Sequence, residues 1–246
     1  MLSGRQSSWL LVTLVILGCT PTPPPPGVLR PDPKNFPKSL DGPMPNFGPF
    51  VSRLDALSSA CSLIFSQQDA SAGREDDMHF DLRWRNAKEY CAWLYYTPDD
   101  RYELSMLVES TEPVPPRKQH ERRCKAPALV NDVRYPSRSL KYLYFVHNHP
   151  GTPTKLSEED IGAVFKIAKL HGPFVETKEG RIPVGVIAFF ANSYRPSAAA
   201  CDGFYEYSWG SPMVIRWTRG DEGRWQQRKA GTVTWLNEQE FNFEPE

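Results

Sequence analysis

Residues 142–146, Tyr-Leu-Tyr-Phe-Val, form an apolar run that ends on His147-Asn148-His149-Pro150, and this junction restricts the fold more than any other stretch of the chain. The run has the length and composition of a buried strand. Side chains alternate across a strand, so His147 and His149 leave one face while Asn148 leaves the other. Pro150 has no amide hydrogen for a sheet ladder and residues 151–153, Gly-Thr-Pro, carry turn chemistry, so the strand stops there. A helix is expected next. Ser157 is a good N-cap with Asp160 three residues on; Ile161, Val164, Phe165 and Ala168 follow at helical spacing, and Gly172-Pro173 closes the segment. Ser157 and Asp160 therefore share one face of a first turn that the loop can fold back toward the two imidazoles.

Two histidines and one carboxylate, with a fourth position left for water, are a donor set used by catalytic zinc sites. The same residues admit plainer roles. Ser157 and Asp160 also read as a helix cap, and either imidazole could be a hydrogen-bonded core or edge residue. Capping and catalysis can coexist in one residue.

The pattern His-x-His-Pro, six residues, then Ser-x-x-Asp resembles the signature of JAMM/MPN-type metalloproteases, and the His-Asn-His-Pro form with this loop length is most similar to the RadC branch. The resemblance implies zinc held by His147, His149 and Asp160, with Ser157 placed to hydrogen-bond the carbonyl oxygen of the scissile bond. These enzymes take their general base from a Glu at a strand start, in a pattern like Glu-x-x-Gly-x-Leu. Glu89-Tyr90-Cys91-Ala92-Trp93-Leu94 is similar, with Ala92 where Gly is frequent, which makes Glu89 the expected base. Glu103 or Glu109 on the next strand could fill that role instead. The implied fold is α/β, a mixed sheet with flanking helices like that of the cytidine deaminases. The deaminases themselves hold zinc partly through a Pro-Cys-x-x-Cys pair, which this chain lacks. The resemblance is specific over residues 89–160, holds loosely to 191 and says nothing elsewhere.

Residues 1–19 read as an export signal. Arg5 supplies positive charge, residues 9–17 are an apolar core too short to span a bilayer, and Ile16-Leu17-Gly18-Cys19 resembles a bacterial lipoprotein cleavage box. Cys19 would become the lipidated N-terminus and anchor the protein to the cell envelope, with Thr20 favouring the outer membrane. Residues 20–49 read as a tether: positions 21–49 hold 11 of the 24 prolines, a composition of extended spacers. Residues 50–200 are expected to be the metallohydrolase domain and 201–246 a β-rich extension of it. Basic and acidic residues balance at 29 each, so nothing recommends nucleic acid as a partner, RadC-like motif notwithstanding.

Residues 52–66 read as an amphipathic helix with Leu54, Leu57, Cys61, Ile64 and Phe65 on one face. A polar loop over 67–77 and a hairpin of strands 90–96 and 104–108, turning at Pro98-Asp99-Asp100, come before the motif. Residues 112–127 form a long loop with Arg117, Lys118, Arg122, Arg123 and Lys125, read as a solvated insertion, as a specificity element or as a patch facing anionic lipid or polymer. Residues 184–191 are continuous apolar sequence of strand length. His171 sits where a cation would cap a helix, and His79 and His120 show no ligand spacing. The tail from 204 reads as two or three antiparallel strands, with turns at 209–212, 220–223 and 230–231. Trp209, Trp217, Trp225 and Trp235 are read as cross-strand packing. Cys61, Cys91, Cys124 and Cys201 permit two disulfides in an oxidising setting, and sequence does not choose among the three pairings.

The expectation is a lipid-anchored zinc hydrolase acting on a peptide or isopeptide amide, with the membrane reached only through the anchor. An inactive module of the same fold that binds or scaffolds is the alternative, and a toxin-like amidase a third reading.

Overall fold

The computed structural model describes residues 23–110, 122–152, 155–192, 201–220 and 222–246. Cys19 and the expected signal lie outside these residues, as do Arg117, Lys118 and His120 of the basic loop.

In chain order, β1 (Val28–Leu29) and β2 (Ser39–Gly42) precede α1 (Arg53–Phe65); β3 (Gly73–Arg74) and α2 (Phe80–Asn86) lead to β4 (Tyr90–Tyr96), β5 (Tyr102–Leu104), β6 (Leu107–Glu109) and β7 (Leu129–Asp132). The centre comes next with β8 (Lys141–Asn148), β9 (Gly151–Thr152), α3 (Glu158–His171), β10 (Phe174–Thr177), β11 (Gly180–Pro183) and β12 (Gly185–Phe190). Last come β13 (Gly203–Ser208), β14 (Met213–Arg219), β15 (Trp225–Trp235) and β16 (Phe241–Pro245).

The fold is mixed α/β around one ten-stranded sheet, ordered β1-β6-β4-β8-β12-β13-β14-β15-β16 with β5 also on β4. β8 and β12 run parallel, and β4 lies antiparallel on the other edge of β8. A parallel pair needs a crossover, which α3 supplies while packing over β12 and β13. α1 packs near β8 and β5. Strands covered on both faces can be apolar throughout, and every residue of β4 and of β12 is buried. Burying a side chain such as Leu94, Ile187 or Val146 contributes about 1.5–3 kcal/mol, so a charge at Val146 would break the layer that carries the histidines.

α1 is N-capped by Ser52 and buries Ala56, Leu57, Ala60, Cys61 and Ile64, while Leu54 and Phe65 pack at its margin. Cys61 is bonded to Cys201 and Cys91 to Cys124. The first bond ties α1 to the start of β13, and the second ties β4 to the segment at the end of the basic loop.

Four features depart from the sequence expectation. Residues 23–49, expected as a free tether, lie on the body: β1 pairs with β6, β2 pairs with β7, and Val28, Leu40, Met44 and Phe47 join the core. Proline-rich sequence has no core of its own, yet its scattered apolar residues fill gaps at a sheet edge. The stretch 67–77, expected as a polar loop, contains β3, and α2 comes soon after it, its Phe80 and Trp84 forming a small cluster with Ala72 and Ala87. The strand expected at 104–108 is broken into β5 and β6, because Ser105 turns its hydroxyl back to accept the Trp93 amide at 3.0 Å. The tail has four strands instead of two or three. Ala230-Gly231 is not a turn; it lies inside β15, where the β14 register shifts by a bulge. Gly231 is required there, since a Cβ would lie 2.5 Å from Phe243 and 2.9 Å from the Glu244 carbonyl. Trp209 and Trp235 pack edge-on against Phe165 of α3, and Trp217 and Trp225 pack on Phe204.

Candidate metal centre

β8 delivers His147 as its penultimate residue on the face that α3 covers, and His149 comes just after the strand, its amide donating to the Phe189 carbonyl at 2.9 Å. Pro150 then ends the strand. Its carbonyl accepts the Ala72 amide at 2.7 Å, and β9 pairs with β3, which holds the loop that returns the chain to α3. Gly151 passes under α2, where a Cβ would come within 3.1 Å of Trp84 and 3.2 Å of Phe80.

The three expected donors meet. His147 Nε2 and His149 Nε2 are 3.0 Å apart, His147 Nε2 is 3.1 Å from Asp160 Oδ1, and His149 Nε2 is 3.3 Å from Asp160 Oδ2. Two ligands at about 2.05 Å from one ion with a tetrahedral angle stand about 3.3 Å apart, so His147, His149 and Asp160 could hold a metal ion. His147 is almost fully buried, whereas His149 and Asp160 each keep some exposure toward the cavity. Burial opposes the Asp160 charge, but the two imidazoles outweigh it and hold this carboxyl well below the usual range. Burial likewise opposes a charged His147, yet Asp160 and Glu89 raise its pKa above that of an ordinary histidine. His147 Nδ1 is buried without a hydrogen-bond partner, so this ring is oriented by packing.

Glu89 stands beside the three, immediately before β4. It is 5 % exposed, and its Oε1 lies 3.9 Å from His147 Nε2. Burial pushes its pKa up to about 8 against the pull of His147. The two alternatives are occupied elsewhere. Glu109 is held by Arg30 and Lys88 at 3.0–3.1 Å, and Glu103 by Arg134 at 3.0 Å.

Ser157 is the N-cap of α3 in a complete capping box. Its Oγ accepts the Asp160 amide at 3.1 Å and donates to Asp160 Oδ2 at 2.8 Å, while the Ser157 amide donates to the same oxygen at 2.9 Å. The hydroxyl proton expected for a substrate carbonyl is thus given to the ligand carboxylate. One residue pair caps the helix and aims the third donor.

No family model matches the chain, and no curated protein matches its sequence.

Asn148, to which the sequence assigns no role, supports the site structurally. It is fully buried on the opposite face of β8, where its Oδ1 accepts the Tyr90 amide at 2.7 Å and its Nδ2 donates to the carbonyls of Ala70 (2.6 Å) and Lys88 (3.1 Å). The residue between the histidines therefore grips the backbone on both sides of Glu89. Its burial beside two candidate ligands was the available signal, since a buried amide must find partners.

The centre opens into a cavity of about 790 Å³, a size that suits a ligand site. Arg122, Arg123 and Lys125 of the basic loop line it. Arg122 donates to the carbonyls of Ala87 and Trp84 and lies 4.9 Å over the Trp84 ring, and Arg123 pairs with Glu159 at 2.7 Å. Arg122 is thus held against the body, while Arg123 and Lys125 stay exposed at the cavity's edge. His171, expected as a charged helix cap, is instead stacked on Tyr142 at 4.0 Å, with its pKa lowered by burial to about 4. His79 precedes α2 without a side-chain capping bond.

Proposed function

We propose that this chain is a metal-dependent amide hydrolase of the JAMM type, acting on a peptide or isopeptide bond and carried to the cell envelope by a lipidated Cys19. One observation supports it above the rest: two imidazoles and a carboxylate from separate elements converge to 3.0–3.3 Å with a second, buried carboxyl 3.9 Å from one of them. The donor set, two nitrogens and one oxygen with a cavity in front, suits zinc in an open catalytic site. Bound there, zinc would supply Lewis acidity toward the substrate carbonyl and bring the pKa of water toward ~7.

The chain's own groups do the rest. Glu89 reaches the mouth of the donor set and is the group able to take a proton from the attacking water and pass it to the departing amine. Water adds to the carbonyl, the C–N bond breaks, and carboxylate and amine are the products. A neutral Glu89 cannot accept that proton. A positive ion beside it opposes the effect of burial and favours the ionised form. Ser157 orients Asp160, and Asn148 holds the backbone from which Glu89 projects.

A binding module that keeps the metal only for stability is the second reading. It draws support from Ser157, whose proton is given to Asp160, and from His147 Nδ1, which lacks the acceptor that orients most metal-bound histidines. Metal analysis of the full chain before and after chelation, with amidase assays on peptides, isopeptide conjugates and peptidoglycan fragments, tests both. One equivalent of zinc with chelator-sensitive cleavage supports the hydrolase; zinc without cleavage of any of these supports the binding module, and absence of bound metal removes both.

A further inference from the structure

One wall of the cavity is a face of α3: Asp160, Ala163, Ile167 and Leu170 all line it at helical spacing. From Asp160 to Leu170 this face runs about 15 Å at 1.5 Å per residue, room for four to five residues of extended chain. The opposite wall is the segment 122–128. Its residues 122–127 belong to no strand, and it is moored by the Cys91–Cys124 bond, by Arg122 and by the Trp93 indole donating to the Pro127 carbonyl at 2.7 Å. The floor is aromatic. Trp93 and Phe145 are register partners two residues along the strands from the Cys91–His147 pair, about 7 Å from the metal end. Leu170, 58 % exposed, extends this apolar surface at the open end.

The charge of the lining is one-sided once internal pairs are removed. Glu159 is engaged by Arg123, and Asp160 by the two imidazoles. Arg122 gives its N–H groups to carbonyl oxygens and has Glu89 as its charged neighbour. Among the described residues Lys155 and Lys166 have no ion-pair partner, and of the lining carboxylates Glu158 is the one in that position. Two unpaired lysines face one such carboxylate. Lys166 projects from α3 six residues after Asp160, about 9 Å along the groove.

We propose that this groove binds an extended acidic peptide, with an apolar side chain on the floor of Trp93, Phe145 and Leu170 and a carboxylate side chain paired by Lys166. The inference rests on the hydrolase reading only for what happens at the metal end; the binding does not need it.

The test measures equilibrium binding of fluorescein-labelled decapeptides to the full, zinc-loaded chain, with cleavage followed in parallel. The peptides alternate Leu with Glu, Leu with Lys, Gly with Glu, or Gly with Lys. The Leu/Glu peptide is expected to bind at least about tenfold more tightly than the others. Lys166→Glu should reverse the order of the Leu/Glu and Leu/Lys peptides, and Leu170→Asp should remove the advantage of Leu over Gly. Both residues are exposed, so the variants keep the fold. Binding of all four peptides alike, no binding at all, or an order that Lys166→Glu leaves unchanged overturns the proposal. Charge-selective binding without cleavage leaves the groove standing and counts against hydrolysis of such linear peptides.

Discussion

Asn148 and Tyr90 are joined side chain to backbone at 2.7 Å, so the residue between the two candidate ligands fixes the strand that presents the candidate base. Asn148→Ala would leave the Tyr90 amide and the Ala70 and Lys88 carbonyls without this partner in a dry interior. The expected cost is about 2–4 kcal/mol in chemical denaturation. Activity should fall further than metal content, because Glu89 loses its support while His147, His149 and Asp160 keep theirs. A loss below about 1 kcal/mol with unchanged activity would remove this residue from the design of the site.

Glu89→Gln and His149→Ala separate base from ligand. The amide is the same size as the carboxyl and can stay in the buried site, so Glu89→Gln should retain zinc while turnover falls by about 10²–10⁴-fold. His149→Ala removes one donor of three and should lose both metal and turnover. Metal content by atomic absorption beside rate measurements decides the matter. Full activity in Glu89→Gln would reassign the base, and Glu103 and Glu109 are poor replacements because each is tied into its own ion pair.

Ser157→Ala tests whether the serine acts on the substrate or on Asp160. Loss of the cap should cost about 1 kcal/mol, and loss of the hydrogen bond that aims Asp160 should weaken metal affinity by about 10-fold or more. A serine that served only the substrate would leave metal affinity as it was. Competition with a fluorescent chelator measures the difference.

The centre of the molecule was legible because its signals are local. Alternation puts His147 and His149 together, Pro150 ends the strand, and Ser157 with Asp160 starts a helix; the structure places each of these as expected. Glu89 was reachable only through a resemblance, since nothing local distinguishes a buried carboxyl from a solvated one at a strand start. The rest depends on contacts distant in sequence. Val28 and Leu40 look like punctuation in a proline-rich stretch until a sheet edge gives them neighbours. Residues 79–87 have only seven helical positions, too few to show a period, and α2 is held by Trp84 under Arg122 from a loop 38 residues later. Ala230-Gly231 carries turn chemistry, and only the opposing β14 shows that the extra residue is absorbed as a bulge.

The two disulfides should differ in what they protect. Cys61–Cys201 closes a loop with a separation of 140 residues and Cys91–Cys124 one of 33, so chain entropy assigns about 4–5 kcal/mol to the first and about 3–4 kcal/mol to the second. Replacing Cys61 and Cys201 by Ala should lower global stability the more. Replacing Cys91 and Cys124 should instead loosen the segment 122–128 and appear first as faster amide exchange there and weaker peptide binding. Equal losses of stability with unchanged exchange in that segment would contradict the division.

His171 gives a pH dependence of known sign. Its ring lies flat on Tyr142 at 4.0 Å and edge-on to Trp93 at 5.1 Å, with Nε2 buried and unpartnered. Burial lowers its pKa from 6.5 to about 4, a pull that the Ala128 backbone only partly offsets. The unfolded ring therefore binds a proton near 6.5 and the folded ring only near 4. Between these values the unfolded state carries more protons, so the contribution is complete above pH 6.5 and is lost as pH falls toward 4. Because the ring is partly open to solvent, the loss attributable to it should be about 1–2 kcal/mol, below the value the full shift implies. Other carboxylates also weaken the fold in acid, so the measurement is a difference: urea denaturation of wild type and His171→Phe at pH 7 and pH 4. Phe keeps the stack without the titrating nitrogen, and the variant should lose less stability than wild type over that interval. Equal losses would mean that the ring is charged in the fold, as a helix-capping cation would be.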